Sequence, residues 1–389
     1  MEIKQEFKHM MKPFFYFTGI LFLLFIFSSN SALAKKEDEE KAKPPKGAGK
    51  NIVSIDWTRS LKTSGSKKRY YPDMASPVLD DSHLYVGTHG GRFYSITKDG
   101  KEAWETNLGG AVASQAHLDA QTVYLGNNKG FVIALDKATG KEKWRTYVEN
   151  EVLAQSVSDE NFLYVVTTGR DLLALNKNTG EIQWQKNVRG FEKKITMRGN
   201  ASLVLHNGKI YAGFADGTLV VVSAGSGNLV WDINLTNESG GFKDVDARVF
   251  IDGANLYFVS YAGFLAKLDL ASGQLLWKKE IHSGNEIVSN GNLLFVSNFE
   301  GGVVAFNKQT GIRAWEISMN AGSLSSPFIL GDYVLVGSQR GHLFVFEAAT
   351  GKVAQTLRVG ASFLSEAATE KNHAYLLSGA GKIYSLTVR

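Results

Sequence analysis

Histidines, a recurrent aspartate and clustered lysines are the residues of this 389-residue chain whose types could do chemistry. The stretch "ALDKATGKEKW" (134–144) places an Asp, a Thr-Gly step, three lysines and a tryptophan within eleven residues. Such a set could cradle a phosphate, carry one on the Asp, or hold a cofactor. The eight histidines (His9, His83, His89, His117, His206, His282, His342 and His373) could ligate a metal, but they are scattered without metal-site spacing. "GTHGGR" (87–92) is the most site-like of their settings, and it reads better as a turn between strands that exposes His89. The chain has no cysteine, which excludes thiol catalysis, Cys metal ligation and a lipid-modified N-terminal Cys. No Gly-x-Ser-x-Gly elbow, phosphate loop or Ca²⁺-loop consensus is present.

Repetition decides the first stretch. It returns as "ALNKNTGEIQW" (174–184), "VVSAGSGNLVW" (221–231), "KLDLASGQLLW" (267–277) and "AFNKQTGIRAW" (305–315), with degraded copies ending at Trp104 and at Gln355. The Asp becomes Asn176, Asn307 or Ser223, which suits a turn cap and not a catalytic group. Scaffold is therefore the expectation: the Asp or Asn caps turn amides, and Gly supplies a positive φ. The tryptophan, always four residues after the glycine, then packs against the neighbouring unit. Trp57, Trp104, Trp144, Trp184, Trp231, Trp277 and Trp315 are expected in this blade-docking role.

Each unit also has an upstream half of alternating apolar segments broken by glycine turns, such as "QTVYLGNNKGFVIAL" (121–135). Four strands per roughly 40-residue unit is the arithmetic of a β-propeller blade. Seven units end near the tryptophans and Gln355. The chain then supplies "HAYLLSGAGKIYSLTVR" (373–389) and stops, while a lone strand "NIVSIDWTRSL" (51–61) precedes the first unit. Joining the two ends predicts an all-β fold: an eight-bladed propeller of four-stranded antiparallel blades, closed by the N-terminal strand joining the C-terminal blade.

The first 34 residues read as a signal peptide: lysines, the apolar run "PFFYFTGILFLLFIF" (13–27), and Ala-Leu-Ala with cleavage expected after Ala34. The apolar run is short for a spanning helix. Residues 35–50 read as a disordered charged linker and 51–389 as the propeller. The formal net charge of +5 is mild and its cations are interspersed with acids, which argues against a nucleic-acid partner.

Departures from the repeat locate the candidate site. The step from Trp184 to Trp231 is 47 residues and that from Trp231 to Trp277 is 46, against 40 from Trp104 to Trp144 and from Trp144 to Trp184. The excess lies in 186–202 and 234–250, on a ring whose loops are free to vary. Gly208 and Gly253 occupy matching places, which puts Ile195, Met197 and Arg198 near Asp244 and Asp246 at the start of adjacent innermost strands. Ile195 and Met197 share one face of an extended chain, as do Asp244 and Asp246. An apolar pair beside an Arg and two carboxylates has the composition of a protein-binding hot spot; an ordinary solvated loop is the other reading.

The Asp-x-x-Thr-Gly-x-x-x-Trp repeat resembles the pyrroloquinoline-quinone-like (PQQ-like) propellers, and within them the BamB family. "DVDARVFIDGANLYFVSYAGFLAKLDLASGQLLWKKEI" (244–281) carries the most specific likeness, and "ITMRG" (195–199) fits that family's Leu-x-Leu-Arg-Gly element. The resemblance implies a non-catalytic periplasmic scaffold of outer-membrane β-barrel assembly in a Gram-negative bacterium, a monomer within a complex and without a cofactor. It implies docking of Ile195, Met197, Arg198, Asp244 and Asp246 onto the periplasmic domains of a BamA-like insertase, with nascent outer-membrane proteins as further clients. Members of that family usually carry a Cys after the signal peptide. Without one, this chain has no direct lipid anchor, and its association with the outer membrane would run through its partner. The alternatives are an exported propeller that binds polysaccharide or peptidoglycan, or a sensor domain. A PQQ-dependent dehydrogenase is the weakest reading, because such enzymes are generally larger, bind Ca²⁺ in the channel and often use a vicinal disulfide.

Overall fold

The computed structural model describes residues 51–62, 73, 75–188, 202–214, 218–235, 249–260, 263–281, 285–298 and 301–389. The signal peptide and linker assigned to 1–50 lie outside them. The described residues fall within a unit that runs from Pro45 to Arg389. Its strands form eight four-stranded antiparallel sheets, the blades of one ring. Blades 1 to 7 span 78–107, 117–147, 157–187, 204–234, 250–280, 288–318 and 328–358, each contributing four consecutive strands. Blade 8 takes three strands from 368–388 and its outermost from Val53–Ser60. Closure by the N-terminal strand is thus observed, two residues shorter at the start and one at the end than the 51–61 segment expected from sequence.

Within a blade the second and third strands are buried on both faces, and the fourth alternates at the ring's outer wall. First strands of neighbouring blades adjoin one another at the inner wall. The period of two explains how both faces are used. In "LYVG" (84–87), Leu84 and Val86 pack with Tyr375 and Ile383 of blade 8, while Tyr85 points the other way, toward Val123 and Leu125 of blade 2. The same division recurs around the ring. The buried apolar residues fall into eight clusters, each built from the facing sides of two consecutive blades. Near-continuous apolar strands such as "VYLG" and "FVIALD" are the sequence consequence of burying both faces.

The recurrent turn joins the third and fourth strands. In blade 2, Asp136 Oδ1 accepts bonds from the Thr139 amide at 2.9 Å and the Thr139 hydroxyl at 2.7 Å. Gly140 follows at φ +70°. A Cβ on Gly140 would stand 2.5 Å from the indole of Trp104 in blade 1, so the glycine is required both by its backbone angle and by the preceding blade. Trp104 Nε1 donates to Lys137 O at 3.1 Å, one residue past the capping Asp. Trp57, Trp144, Trp184, Trp277 and Trp315 likewise donate to the turn of the following blade at 2.8–3.1 Å. Among the described residues, Trp231 Nε1 is buried without a partner.

Charge reinforces the same seams. The ammonium groups of Lys98, Lys137, Lys177 and Lys308 reach back to Glu370, Asp80, Asp119 and Asp252 of the preceding blade. For three of these lysines, Lys98, Lys137 and Lys177, the carbonyl of the same residue accepts that blade's tryptophan. Burial pushes the Asp80 carboxyl up, but the Ser82 and His83 amides, Lys137 and the Tyr85 hydroxyl outweigh it and hold it at about 2.

Candidate partner-binding face

The strands of each blade alternate in direction. The turns after the first and third strands therefore fall at one end of the ring. The turns after the second strands and the connections between blades fall at the other. Five of the eight connections hold seven to nine residues, as in 108–116, 148–156 and 319–327; the connections 188–203 and 235–249 hold 16 and 15, and 61–77, which leads from blade 8 into blade 1, holds 17. Of the three long ones, 188–203 and 235–249 leave consecutive blades, 3 and 4, at the same end of the ring. Ile195, Met197, Arg198, Asp244 and Asp246 belong to these connections and lie outside the described residues. What is described is their footing: Val188 and Ser202 around the first, Leu235 and Val249 around the second. Gly208 (φ +70°) and Gly253 (φ +59°) lie in equivalent turns of blades 4 and 5 but one place apart: Asn207, at φ +49°, is the residue that matches Gly253.

The first footing is tied down by a residue that composition and spacing did not single out. Arg170 has φ +68° in the turn after the second strand of blade 3. Gly91, Gly130, Gly263, Gly301, Gly341 and Gly381 hold the matching place in six other blades, all at positive φ. A left-handed conformation costs a non-glycine residue on the order of 1 kcal/mol. Contacts offset that cost. Arg170 Nε donates to Val188 O at 2.6 Å, and Val188 N donates to Arg170 O at 2.9 Å. The guanidinium carbon lies 4.6 Å from the centroid of Phe214 in blade 4. Arg170 thus fastens the strand end from which 188–203 departs to the next blade. Its signal was a turn glycine displaced by one place, "TTGR" against "NNKG".

Catalytic groupings are not assembled by the described residues. No cluster of three or more His, Asp or Glu side chains able to hold a metal occurs among them. His117 Nε2 lies 2.8 Å from Ser158 Oγ across the seam between blades 2 and 3. Burial holds that imidazole at about 4, with Asp119 opposing and Lys177 assisting, so it is neutral and a weak base near pH 7. His89 lies in the turn after the second strand of blade 1, and its amide donates to the buried carboxylate of Asp73 at 2.6 Å. These groups do not fit a quinone and its metal.

A ring of eight such blades, seven of them docked on the next by a tryptophan lying on a turn, is a PQQ-like β-propeller. The family model described as "Outer membrane protein assembly factor BamB" matches residues 54–125, 99–317 and 300–389. The chain belongs to the BamB family of outer membrane protein assembly factors. It is 28% identical over 386 residues to the outer membrane protein assembly factor BamB of Escherichia coli strain K12, covering 93% of this chain and 96% of that one. With the Shewanella oneidensis BamB it is 30% identical over 201 residues, and here it spans about half the length of the relative (50% of this chain, 51% of that one). The BamB crystal structure from Moraxella catarrhalis superposes with a TM-score of 0.77 at 21% identity, over 86% of this chain and all of that one. A quinohemoprotein alcohol dehydrogenase from Pseudomonas putida HK5 shares the fold at 14% identity (TM-score 0.72; 90% of this chain, 79% of that one).

Proposed function

We propose that this protein is a non-catalytic periplasmic scaffold of outer-membrane protein assembly. In this reading it displays 188–203 and 235–249 to the periplasmic domains of a BamA-like insertase and has no cofactor of its own. The observation that carries it is the pair of enlarged connections leaving consecutive blades, 3 and 4, at one end of the ring. Membership of a family described as outer membrane protein assembly factors supports the biological setting. A rigid ring suits the task, because a preorganised surface loses little conformational entropy on docking. Ile195 and Met197 act as apolar anchors. Arg198, Asp244 and Asp246 set orientation and suppress wrong partners. Association with the outer membrane follows from the partner, since the chain has no Cys for a lipid anchor.

Asp246→Arg tests this reading through affinity capture from detergent-solubilised envelopes. The variant is expected to lose a large outer-membrane barrel protein from its captured set while its melting temperature stays within about 2 °C of the parent. Undiminished capture of that partner would show the face to be misassigned.

A further inference from the structure

Outside the enlarged connections, the end of the seam between blades 6 and 7 carries an arrangement that no other seam repeats among the described residues. His342 opens the third strand of blade 7, and Arg358, at the end of the fourth, is its direct cross-strand partner. Arg340 lies two residues earlier, in the preceding turn. Phe344 stacks on His342 with centroids 5.8 Å apart and packs with Phe295, Val303 and Ala305 of blade 6, so this side of the sheet looks onto blade 6.

Among the described residues, three basic side chains therefore converge without a counter-charge. Neither Arg340 nor Arg358 forms an ion pair among the described residues. In blade 1, by contrast, Arg92, at the place of His342, has Glu105. Among the described residues blade 6 offers no compensation: its Arg313 and Glu316 pair with each other at 2.7 Å on the face turned toward blade 5. Arg340 Nη1 is held by Asn320 O at 3.0 Å, and Gly322, with no side chain, keeps the floor beside Gln339 and Arg340 open. Like charges placed directly opposite on a sheet are destabilising. Burial pushes the His342 imidazole down, and Arg358 and Arg340 push it further.

We propose that Arg340, His342 and Arg358 form an anion site at the end of the blade 6–blade 7 seam, and that its ligand is a phosphate group. Two guanidinium groups match the two charges of a phosphate monoester and its planar sets of acceptor oxygens, whereas one carboxylate would leave one arginine uncompensated. An anion seated there removes the repulsion and favours the imidazolium, so binding takes up a proton and tightens as pH falls through the histidine range. The groups facing His342 are Arg358 from the fourth strand and Arg340 from the turn; blade 6 presents Trp315 and Ile317. The site is independent of the scaffold reading. It takes either free phosphate or the phosphate of a lipid headgroup.

The experiment follows the His342 ring protons by NMR in the full chain, titrating pH in chloride and in inorganic phosphate at equal ionic strength, with His342→Gln for assignment. The expected result is an imidazole pKa raised by about 1 unit in phosphate, and a shift abolished in Arg340→Gln/Arg358→Gln. Sedimentation with phosphatidylcholine vesicles, with and without phosphatidic acid, separates the sources. Arginine-dependent co-sedimentation assigns the lipid headgroup, and the NMR shift without co-sedimentation assigns the free ion. Identical titrations in both salts without arginine-dependent vesicle binding would overturn the site, as would a response to polyglutamate alone.

Discussion

Gln355 brackets Val53 from both sides of its peptide unit. Its Oε1 accepts from Val53 N at 2.7 Å and from Ile52 N at 2.8 Å, while its Nε2 donates to Val53 O at 3.0 Å. This is the one outer strand of blades 1 to 7 without a tryptophan, and the reason lies in the next blade. Every other blade offers its predecessor a covalent turn with a glycine on which an indole can lie. Blade 8 has instead the gap between the two chain ends, where Arg389 N donates to Ile52 O at 2.9 Å. An amide side chain satisfies free strand ends, and an indole does not. The aromatic partner is missing too: Leu335 stands where blades 1 to 5 have Tyr85, Tyr124, Tyr164, Tyr211 and Tyr257 packed, tilted or edge-on, against their tryptophans.

Gln355→Leu keeps the volume and removes all three bonds. At roughly 1 kcal/mol per bond the expected loss is about 2–3 kcal/mol, read as a lower denaturant midpoint and faster amide exchange at Ile52 and Val53. Deleting 51–61 is expected to unfold the ring outright, because blade 8 loses its outer strand. A truncated chain that melts with the full-length protein would refute closure as the source of stability.

Gly140→Ala and Gly208→Ala separate two demands on glycine. Both residues have φ +70°, but nothing stands within 4 Å of a Cβ on Gly208, whereas the Trp104 indole blocks one on Gly140. The expected cost is about 1 kcal/mol at Gly208 and 2 kcal/mol or more at Gly140, measured by chemical denaturation. Equal costs would mean that the indole gives way.

His117 should make the ring acid-labile. Its folded value of about 4 lies below the ordinary histidine value of 6.5, so the unfolded chain binds the proton more tightly. Its contribution is fully present above pH 6.5 and is lost progressively as pH falls from there toward 4. The total is on the order of 3 kcal/mol. His117→Gln is expected to flatten the stability profile across that window, while acid unfolding from the paired carboxylates persists at lower pH.

Arg170→Gly exchanges a strained arginine for the residue that six other blades use. Fold stability is expected to change by less than about 1 kcal/mol, since relieved backbone strain offsets the lost contacts. Amide exchange at Val188 should accelerate, and partner capture should weaken. A variant with unaltered exchange at Val188 would remove Arg170 from the footing of 188–203.

Much of this molecule is legible in one dimension because a repeat states its rule many times over. Trp104, Trp144 and Trp184 recur at a fixed step because each blade must present the same surface to the next. The number of units, the strand order within them and the closing role of 53–60 follow from that periodicity. The departure at Gln355 was visible as a missing tryptophan, but its meaning was not: residues 302 positions apart meet there. The same holds for Arg170, whose importance lies in a positive φ, and for Arg340 and Arg358, whose lack of a counter-charge depends on which side of a sheet each acid occupies.

By itself, then, the sequence determined the blade, its turn chemistry and the count of eight, since these rest on local propensity and on period-two burial repeated along the chain. Only the tertiary structure decided how the ends are clasped, which strand end is fastened beneath an enlarged connection, and where cations gather unpaired. Those relationships depend on ring closure, which sets distant residues side by side with no trace in their spacing.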